Sequence, residues 1–225
     1  MTFEPRDSTT REKKRRLLDY RVSAHQLNRL VKNRNWKIIF LENSTNELKL
    51  NNFIDELTLD FDYYAYFVNE NRGETNKGLG ELHMLDVALK KLGDEIFKAD
   101  KVIYFTGRRI ITNHYLIEKV EFSDAEILAS NPPFVGFDDS FSPPTPNLIN
   151  DMFFAMAPNL IIKYSEFCQD FISKHTNLSI GSEQMLFQFV TSCDSSIQWI
   201  EHLGLIRRQE KKYLSLYPKN NFHII

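Results

Sequence analysis

Two short runs in this chain set glycine beside cations: Asn76-Lys77-Gly78-Leu79-Gly80-Glu81 and Tyr104-Phe105-Thr106-Gly107-Arg108-Arg109. Glycine lets a backbone come close to a ligand, and a helix opening there turns unpaired N–H groups toward an anion. Lys77 adds a mobile cation, and Arg108 or Arg109 can make a bidentate bond to phosphate or carboxylate. Alone, the glycine pair also fits a plain strand-to-helix turn, since G-x-G is a weak signal, and the arginines fit a solvated surface. Together, the two runs favour a site for a phosphorylated or nucleotide-linked substrate.

The elements that would position them follow from apolar spacing. After the basic run Arg11-Glu12-Lys13-Lys14-Arg15-Arg16, an amphipathic helix is expected through Leu17, Tyr20, Ala24, Leu27 and Val31. Trp36 to Leu41 reads as a buried strand closed by the loop Glu42-Asn43-Ser44-Thr45, and Tyr63 to Val68 as a second strand. The loop from Asn71 to Gly80 opens a helix with Leu82, Leu85, Ala88, Leu89 and Leu92 on one face and Gly93 at its end. Lys101 to Phe105 is a third strand. Apolar strands alternating with helices predict an α/β fold with a mostly parallel sheet flanked by helices. Ligands of such sheets bind beyond the carboxyl ends of the strands. Glu42-Asn43-Ser44, the Asn76 to Glu81 run and Thr106 to Arg109 are expected to converge there.

The pattern changes after about residue 120. Residues 130–147 contain Pro132, Pro133, Pro143, Pro144 and Pro146 and read as a long loop or strand edge. Asp151 to Ala157 reads as a strand, and Pro158 suits the first turn of a helix carrying Leu160, Ile161, Tyr164, Phe167, Cys168 and Phe171. Gly181-Ser182-Glu183 starts another helix, and the tail from Gly204 is basic and aromatic.

With 42% hydrophobic residues in 225, the chain can fill one sizeable core, and one domain over 1–225 is expected. A net charge of -2 does not make the whole molecule a trap for nucleic acid. No apolar stretch approaches the roughly 20 residues that span a bilayer, and Met1-Thr2-Phe3-Glu4-Pro5 lacks a secretory apolar run. Cys168 and Cys193 have neither metal-ligand spacing nor a disulfide framework, so a reducing, cytoplasmic setting is expected. The sequence contains no Walker loop, no G-x-S-x-G elbow and no H-E-x-x-H.

Three segments carry a family resemblance. The helix from Tyr20 feeding Trp36-Lys-Ile-Ile-Phe-Leu-Glu-Asn-Ser44 resembles the opening of a GT-A-fold glycosyltransferase. Asn76-Lys-Gly-Leu-Gly-Glu81 resembles the N-K-G loop before the helix that crosses the family's donor site. Asp100 to Arg109 falls where the family places a strand ending in the D-x-D metal motif. It looks most like small bacterial polysaccharide-type transferases with K-x-T-G-R-Y at that place. The resemblance covers roughly residues 15–225 and is weak after residue 120. It implies a GT-A-like (Rossmann-like) fold whose residues 1–120 bind a nucleotide-sugar donor and whose residues 121–225 shape the acceptor side. The implied activity is transfer of a sugar to a glycan or lipid-linked acceptor in polysaccharide synthesis. Glu42, Asn43, Ser44, Asn76, Lys77, Gly78, Gly80, Thr106, Gly107, Arg108 and Arg109 are the implied donor contacts.

Two departures from the family pattern matter. No D-x-D stands at residues 104–109, so no metal ligand is carried over, although manganese or magnesium stays open as a cofactor. Arg108, Arg109 and Lys77 are expected to neutralise the leaving diphosphate instead. Residues 1–16 contain no convincing first strand, and Thr9, Thr10 and Arg11 are read as a remnant of the base-contacting loop. An inverting transfer needs a carboxylate to take the acceptor proton. The resemblance points to Glu183, at a helix start beyond the D-x-D position, with Asp151 as second candidate. A first-turn or capping role for Glu183, and a plain loop role for Asp151, are the structural alternatives. Asp138-Asp139 and His223 are weaker metal candidates, and nothing selects Trp199 or Tyr213 as sugar-lining residues.

Three rivals remain. A sugar-phosphate nucleotidyltransferase uses a similar sheet but would usually show a Gly-rich first loop with Lys or Arg. A nucleic-acid or membrane-surface module would use Arg11 to Arg16 and the Arg207-Arg208/Lys211-Lys212 tail, which Glu12 and Glu210 interrupt. In a transferase those runs would serve peripheral contact with the anionic inner membrane face, with no nucleic-acid partner. A catalytically inactive GT-A-like protein is the third.

Overall fold

The computed structural model describes residues 9–44, 46–57, 63–68, 77–112, 114–130, 147–174, 181–200, 203, 205–209 and 212–215. Asn76, Asp138, Asp139, His223 and the five prolines between 130 and 147 lie outside them. Helix α1 (Thr10–Val31) starts earlier than its apolar stripe. The Glu12 N–H donates to Thr9 Oγ1 at 3.2 Å, and the Thr9 N–H donates to the Glu12 carboxylate at 2.7 Å. That reciprocal capping box winds the basic run into the helix. Thr9, Thr10 and Arg11 are therefore a helix start, which overturns the expectation of a base-contacting loop.

Strand β1 (Ile38–Glu42) pairs in parallel with β2 (Tyr63–Phe67), Ile38 opposite Tyr63. Between them runs α2 (Glu47–Asp55), an element not anticipated from the sequence. Its signals are nevertheless local. Asn46 Oδ1 accepts the Lys49 N–H at 2.9 Å, and Leu50, Phe53 and Ile54 are buried at helical spacing. Helix α3 (Lys77–Leu92) begins at Lys77, so Gly78 and Gly80 lie inside its first turn rather than in a loop before it.

The central sheet is four-stranded, in the order β3 (Val102–Phe105), β6 (Phe153–Met156), β5 (Ile127–Ser130), β7 (Ile197–Ile200). Strand β6 is antiparallel to both neighbours, and β5 is parallel to β7. The α/β class holds, with mixed pairing. A strand buried on both faces is apolar whichever way it runs, so composition does not report its direction. A smaller antiparallel sheet joins β4 (Ile110–Ile111), β8 (Leu205–Gln209) and β9 (Lys212–Ser215).

Helices cover both faces of the central sheet. On one, Ile127, Ala129, Phe154 and Met156 pack with α3, α5 (Pro158–Lys174) and α6 (Ser182–Ser192). On the other, Leu128, Phe153 and Ala155 meet Leu30 and Val31 of α1 and Leu116, Ile117 and Val120 of α4 (Tyr115–Glu121). The two-residue alternation along β5 and β6 assigns each side chain to its layer. Helix α1 is tied at three heights: Arg21 to Glu56, Ser23 to the Arg109 carbonyl, and Arg34, just past its end, to Glu121. Among the described residues no helix is long and apolar enough to cross a membrane.

Candidate active site

The carboxyl ends of β3 and β5 and the start of β6 share one edge of the sheet, because β6 runs against both. Strand β3 leaves that edge through Thr106-Gly107-Arg108-Arg109. The Thr106 N–H donates to the Met152 carbonyl at 3.1 Å, and the Arg108 N–H to the Thr106 carbonyl at 2.8 Å. Closing so tight a turn puts Gly107 at φ +68°, a conformation that disfavours any side chain. The Ser23 hydroxyl donates to the Arg109 carbonyl at 2.5 Å, and Arg109 turns its Nε–H to Met152 Sδ at 3.0 Å. Arg108 is half-buried.

The segment before β6 is held as firmly. The Asn150 N–H donates to Ser130 Oγ at 2.8 Å, and the Met152 N–H to Asn150 Oδ1 at 2.8 Å. The Ile149 N–H reaches the Glu183 carbonyl at 3.3 Å. Between these anchors Asp151 is 6% exposed, and its Oδ2 accepts the Ser182 hydroxyl at 2.5 Å. The same oxygen of Ser182 lies 3.5 Å from Glu183 Oε2. One hydroxyl at the start of α6 thus donates to Asp151 and lies near the Glu183 carboxylate. Gly181 is the N-cap of α6 and makes no side-chain cap, so Glu183 is a first-turn residue without a capping box. A Cβ on Gly181 would come within 2.9 Å of Glu183 Oε2. The space that glycine leaves is what lets the carboxylate lie where it does.

Tyr104 closes the cleft from below. Its ring stacks on Phe154 at 5.0 Å, and Phe154 meets the edge of Tyr164 at 5.6 Å. Burial first, then the nearby carboxylates of Glu81 and Asp151, hold the Tyr104 phenol well above its ordinary range. It is a neutral hydroxyl at any physiological pH. Glu81, Leu82, Tyr104, Asp151, Tyr164 and Ser182 line a narrow cleft there.

Of the residues picked from sequence, Asp151 and Glu183 come together on Ser182, beside the Thr106 to Arg109 turn. Helix α3 brings Gly78 and Gly80 in its first turn and Glu81 directly after them. Glu42, Asn43 and Ser44 do not line this cleft. Glu42 is fully buried and accepts both the N–H and the hydroxyl of Ser44, so it closes the turn after β1. Trp199 lies on β7 and Tyr213 on β9, and Trp199 does not line the cleft. Tyr104 and Ser182 were not legible as site residues. Ser182 adjoins a chosen carboxylate, and Tyr104 stands next to last in an apolar strand. Among the described residues, no group of three His, Cys, Asp or Glu side chains is placed to hold a metal. The metal candidates Asp138, Asp139 and His223 lie outside the described residues.

No protein-family model matches the sequence, and no curated protein matches it. Solved structures do. A nucleoside-diphosphate-sugar pyrophosphorylase from Vibrio cholerae RC9 aligns over 84% of this chain and 82% of its own, at 8% identity and a TM-score of 0.51. The 4-diphosphocytidyl-2C-methyl-D-erythritol synthase from Anaerococcus prevotii DSM 20548 aligns over 81% and 78%, at 16% identity and a TM-score of 0.50. At these identities the likeness is one of fold. It defines the chain as a Rossmann-like α/β protein with a mixed central sheet between helices.

Proposed function

We propose that this protein is a transferase of nucleotide-linked substrates and, more finely, that it moves a sugar from a nucleotide-sugar donor to a glycan or lipid-linked acceptor. One observation carries the reading. Two carboxylates flank the Ser182 hydroxyl, which donates to Asp151, at the same sheet edge where β3 ends in a cationic turn. An acid side and a basic side at one strand end suit a reaction that takes a proton and releases an anion.

In that reaction the acceptor oxygen bonds to the anomeric carbon as the bond from that carbon to the diphosphate breaks. The acceptor proton passes to Glu183, which is less buried than Asp151. Asp151, held by Ser182, orients a hydroxyl of the donor or acceptor. The diphosphate departs with the electron pair, and Arg108 lies where that charge develops. Attack from the face opposite the leaving group inverts the anomeric centre. Residues of about 1–120 supply the donor side and about 121–225 the acceptor side. A lipid-linked acceptor would sit at the cytoplasmic membrane face.

The two proteins of like fold are, by name, a nucleoside-diphosphate-sugar pyrophosphorylase and a diphosphocytidyl-methylerythritol synthase. Those names support a nucleotide substrate over a nucleic-acid module. They also favour a second reading, nucleotidyl transfer to a sugar phosphate. The products separate the two, because nucleotidyl transfer releases pyrophosphate and glycosyl transfer does not.

The first experiment is thermal stabilisation by UDP-, GDP-, CMP- and dTDP-sugars, each with and without manganese. A selective shift supports the reading and identifies the donor. Turnover of that donor should then fall at least about a hundredfold in Glu183→Gln, the span of general-base effects, with donor binding retained. Near-normal turnover removes Glu183 as the base. No shift from any of the sugars favours an inactive protein of this fold.

A further inference from the structure

The outer side of α1 has no role in the reaction as drawn. Tyr20, Ser23, Ala24, Leu30 and Val31 turn the inner side to the core. Arg11, Arg15, Leu18, Val22, His25 and Arg29 recur at alternating steps of four and three residues, so they form a ridge along the opposite side. All six are exposed except Val22, which is half-buried. From Arg11 to Arg29 the ridge runs about 27 Å at the rise of an α-helix. It is not the basic run itself. Lys13 and Arg16 are half-buried to its sides, and the ridge continues well beyond the run to His25 and Arg29. No acidic residue stands on it, and Glu12, the acid within the run, has its carboxylate engaged in the Thr9 cap. Among the described residues, no ion pair engages Arg11, Arg15 or Arg29.

We infer that this ridge is a docking surface for an anionic lipid bilayer, with α1 lying along the headgroups. Charge complementarity and the order of residue types carry the inference. Cations toward both ends meet lipid phosphates, while Leu18 and Val22 between them meet the acyl boundary. A nucleic-acid backbone would use the cations and gain little from the aliphatic pair. The chain as a whole carries a net charge of -2, so a positive ridge sets which side approaches a negative surface. The core already takes the apolar side of α1, and no described helix is long and apolar enough to cross a membrane, so the contact is peripheral. The helix is also fixed to the candidate site. On its inner side the Ser23 hydroxyl donates to the Arg109 carbonyl in the turn after β3, and Arg21 pairs with Glu56 of α2. Docking by the ridge therefore holds that site at a set distance from the lipid. The surface does not depend on the transferase reading, to which it adds a means of meeting a lipid-linked acceptor.

The test is flotation of the full chain with vesicles of phosphatidylcholine alone or mixed with phosphatidylglycerol, at low and physiological salt. Binding is expected only to the mixed vesicles and should weaken as salt screens the charges. Arg11→Gln, Arg15→Gln and Arg29→Gln should each weaken it about fivefold, the share of one cation near an anionic surface. Leu18→Ser should weaken it about threefold or more by removing the apolar contact. Lys174→Gln makes the same change in net charge on α5, across the central sheet from α1, and should alter binding less than about twofold. The melting temperature of each variant shows whether it is folded. No binding to the mixed vesicles, equal binding to phosphatidylcholine alone, or an equal loss in Lys174→Gln would each overturn the surface. Wild-type vesicle binding in Leu18→Ser, with duplex DNA bound through the same arginines, would replace the lipid by a nucleic-acid partner. Sugar transfer to a soluble acceptor, assayed in parallel, separates the two claims. Vesicle binding without transfer leaves the surface standing and removes the transferase. Transfer without vesicle binding does the reverse.

Discussion

Ser182 is the residue on which the site turns, since its one hydroxyl reaches Asp151 at 2.5 Å and lies 3.5 Å from Glu183. In Ser182→Ala the nearly buried Asp151 carboxylate loses a donor, a cost of about 2 kcal/mol for a hydrogen bond to a charged group. Urea unfolding should report that loss, and turnover should fall with it. Gly181→Ala makes the opposite separation. The added methyl meets Glu183 Oε2 and must move the carboxylate, a flexible group, so activity should drop while the denaturation midpoint changes little. An unchanged rate in Gly181→Ala would mean that the position of Glu183 does not matter to the chemistry. Cys168 is chemically quiet for a different reason. Burial pushes its thiol up to about 12, against a smaller opposing influence from Tyr164. A thiol reagent at pH 8 should leave Cys168 unmodified until the protein is unfolded.

At the scale of elements, α1 depends on its first turn to wind the basic run into the helix. The Thr9 backbone N–H, then its hydroxyl, holds the Glu12 carboxyl below its ordinary value near 4.5. A carboxyl lowered in the folded state adds stability above its unfolded value and loses it as pH falls through the folded one. Thr9→Ala keeps that backbone N–H but loses the hydroxyl, so it should melt lower than wild type at pH 7, and the gap should narrow without closing as pH drops below about 4.5. A gap undiminished at pH 3 would mean that the hydroxyl acts only as acceptor of the Glu12 N–H and not on its carboxylate. Much of this element was legible. Thr9-x-x-Glu12 is a capping-box pattern, and Asn46 before Leu50, Phe53 and Ile54 announces α2 as clearly. Strand direction was not legible. Phe153 to Met156 is uniformly apolar, and only its ladders with β3 and β5 show that it runs against both.

For the whole molecule, the core under the cleft holds groups that must stay neutral. Burial raises the phenols of Tyr104 and Tyr164 well above their usual range and the Cys168 thiol to about 12. For acids raised in this way, the stabilisation is fully present below the unfolded values near 9 and 10. It is lost as pH rises toward the folded ones. Unfolding midpoints should be level up to about pH 9 and then decline, in step with the tyrosinate absorbance of the unfolding chain. A level profile to pH 12 would show that these groups ionise without unfolding the core.

What the sequence determined by itself is local: the apolar spacing of α1, α3, α5 and α6, the strand runs, and glycine next to arginine after β3. Those signals act over one or two turns, where neighbours along the chain are neighbours in space. The same locality let Asp151 and Glu183 be picked as separate candidates without any sign that one hydroxyl lies near both. It also suggested Glu42 and Ser44 as ligand contacts, whereas the folded turn engages them with each other. Tertiary structure decided the partnerships across long separations: Asp151 with Ser182, Tyr104 with Phe154, and Ser23 with the Arg109 carbonyl. Each depends on where the faces of the sheet lie and how α1 is tied across the end of β3. Packing sets that geometry, and no spacing along the chain encodes it.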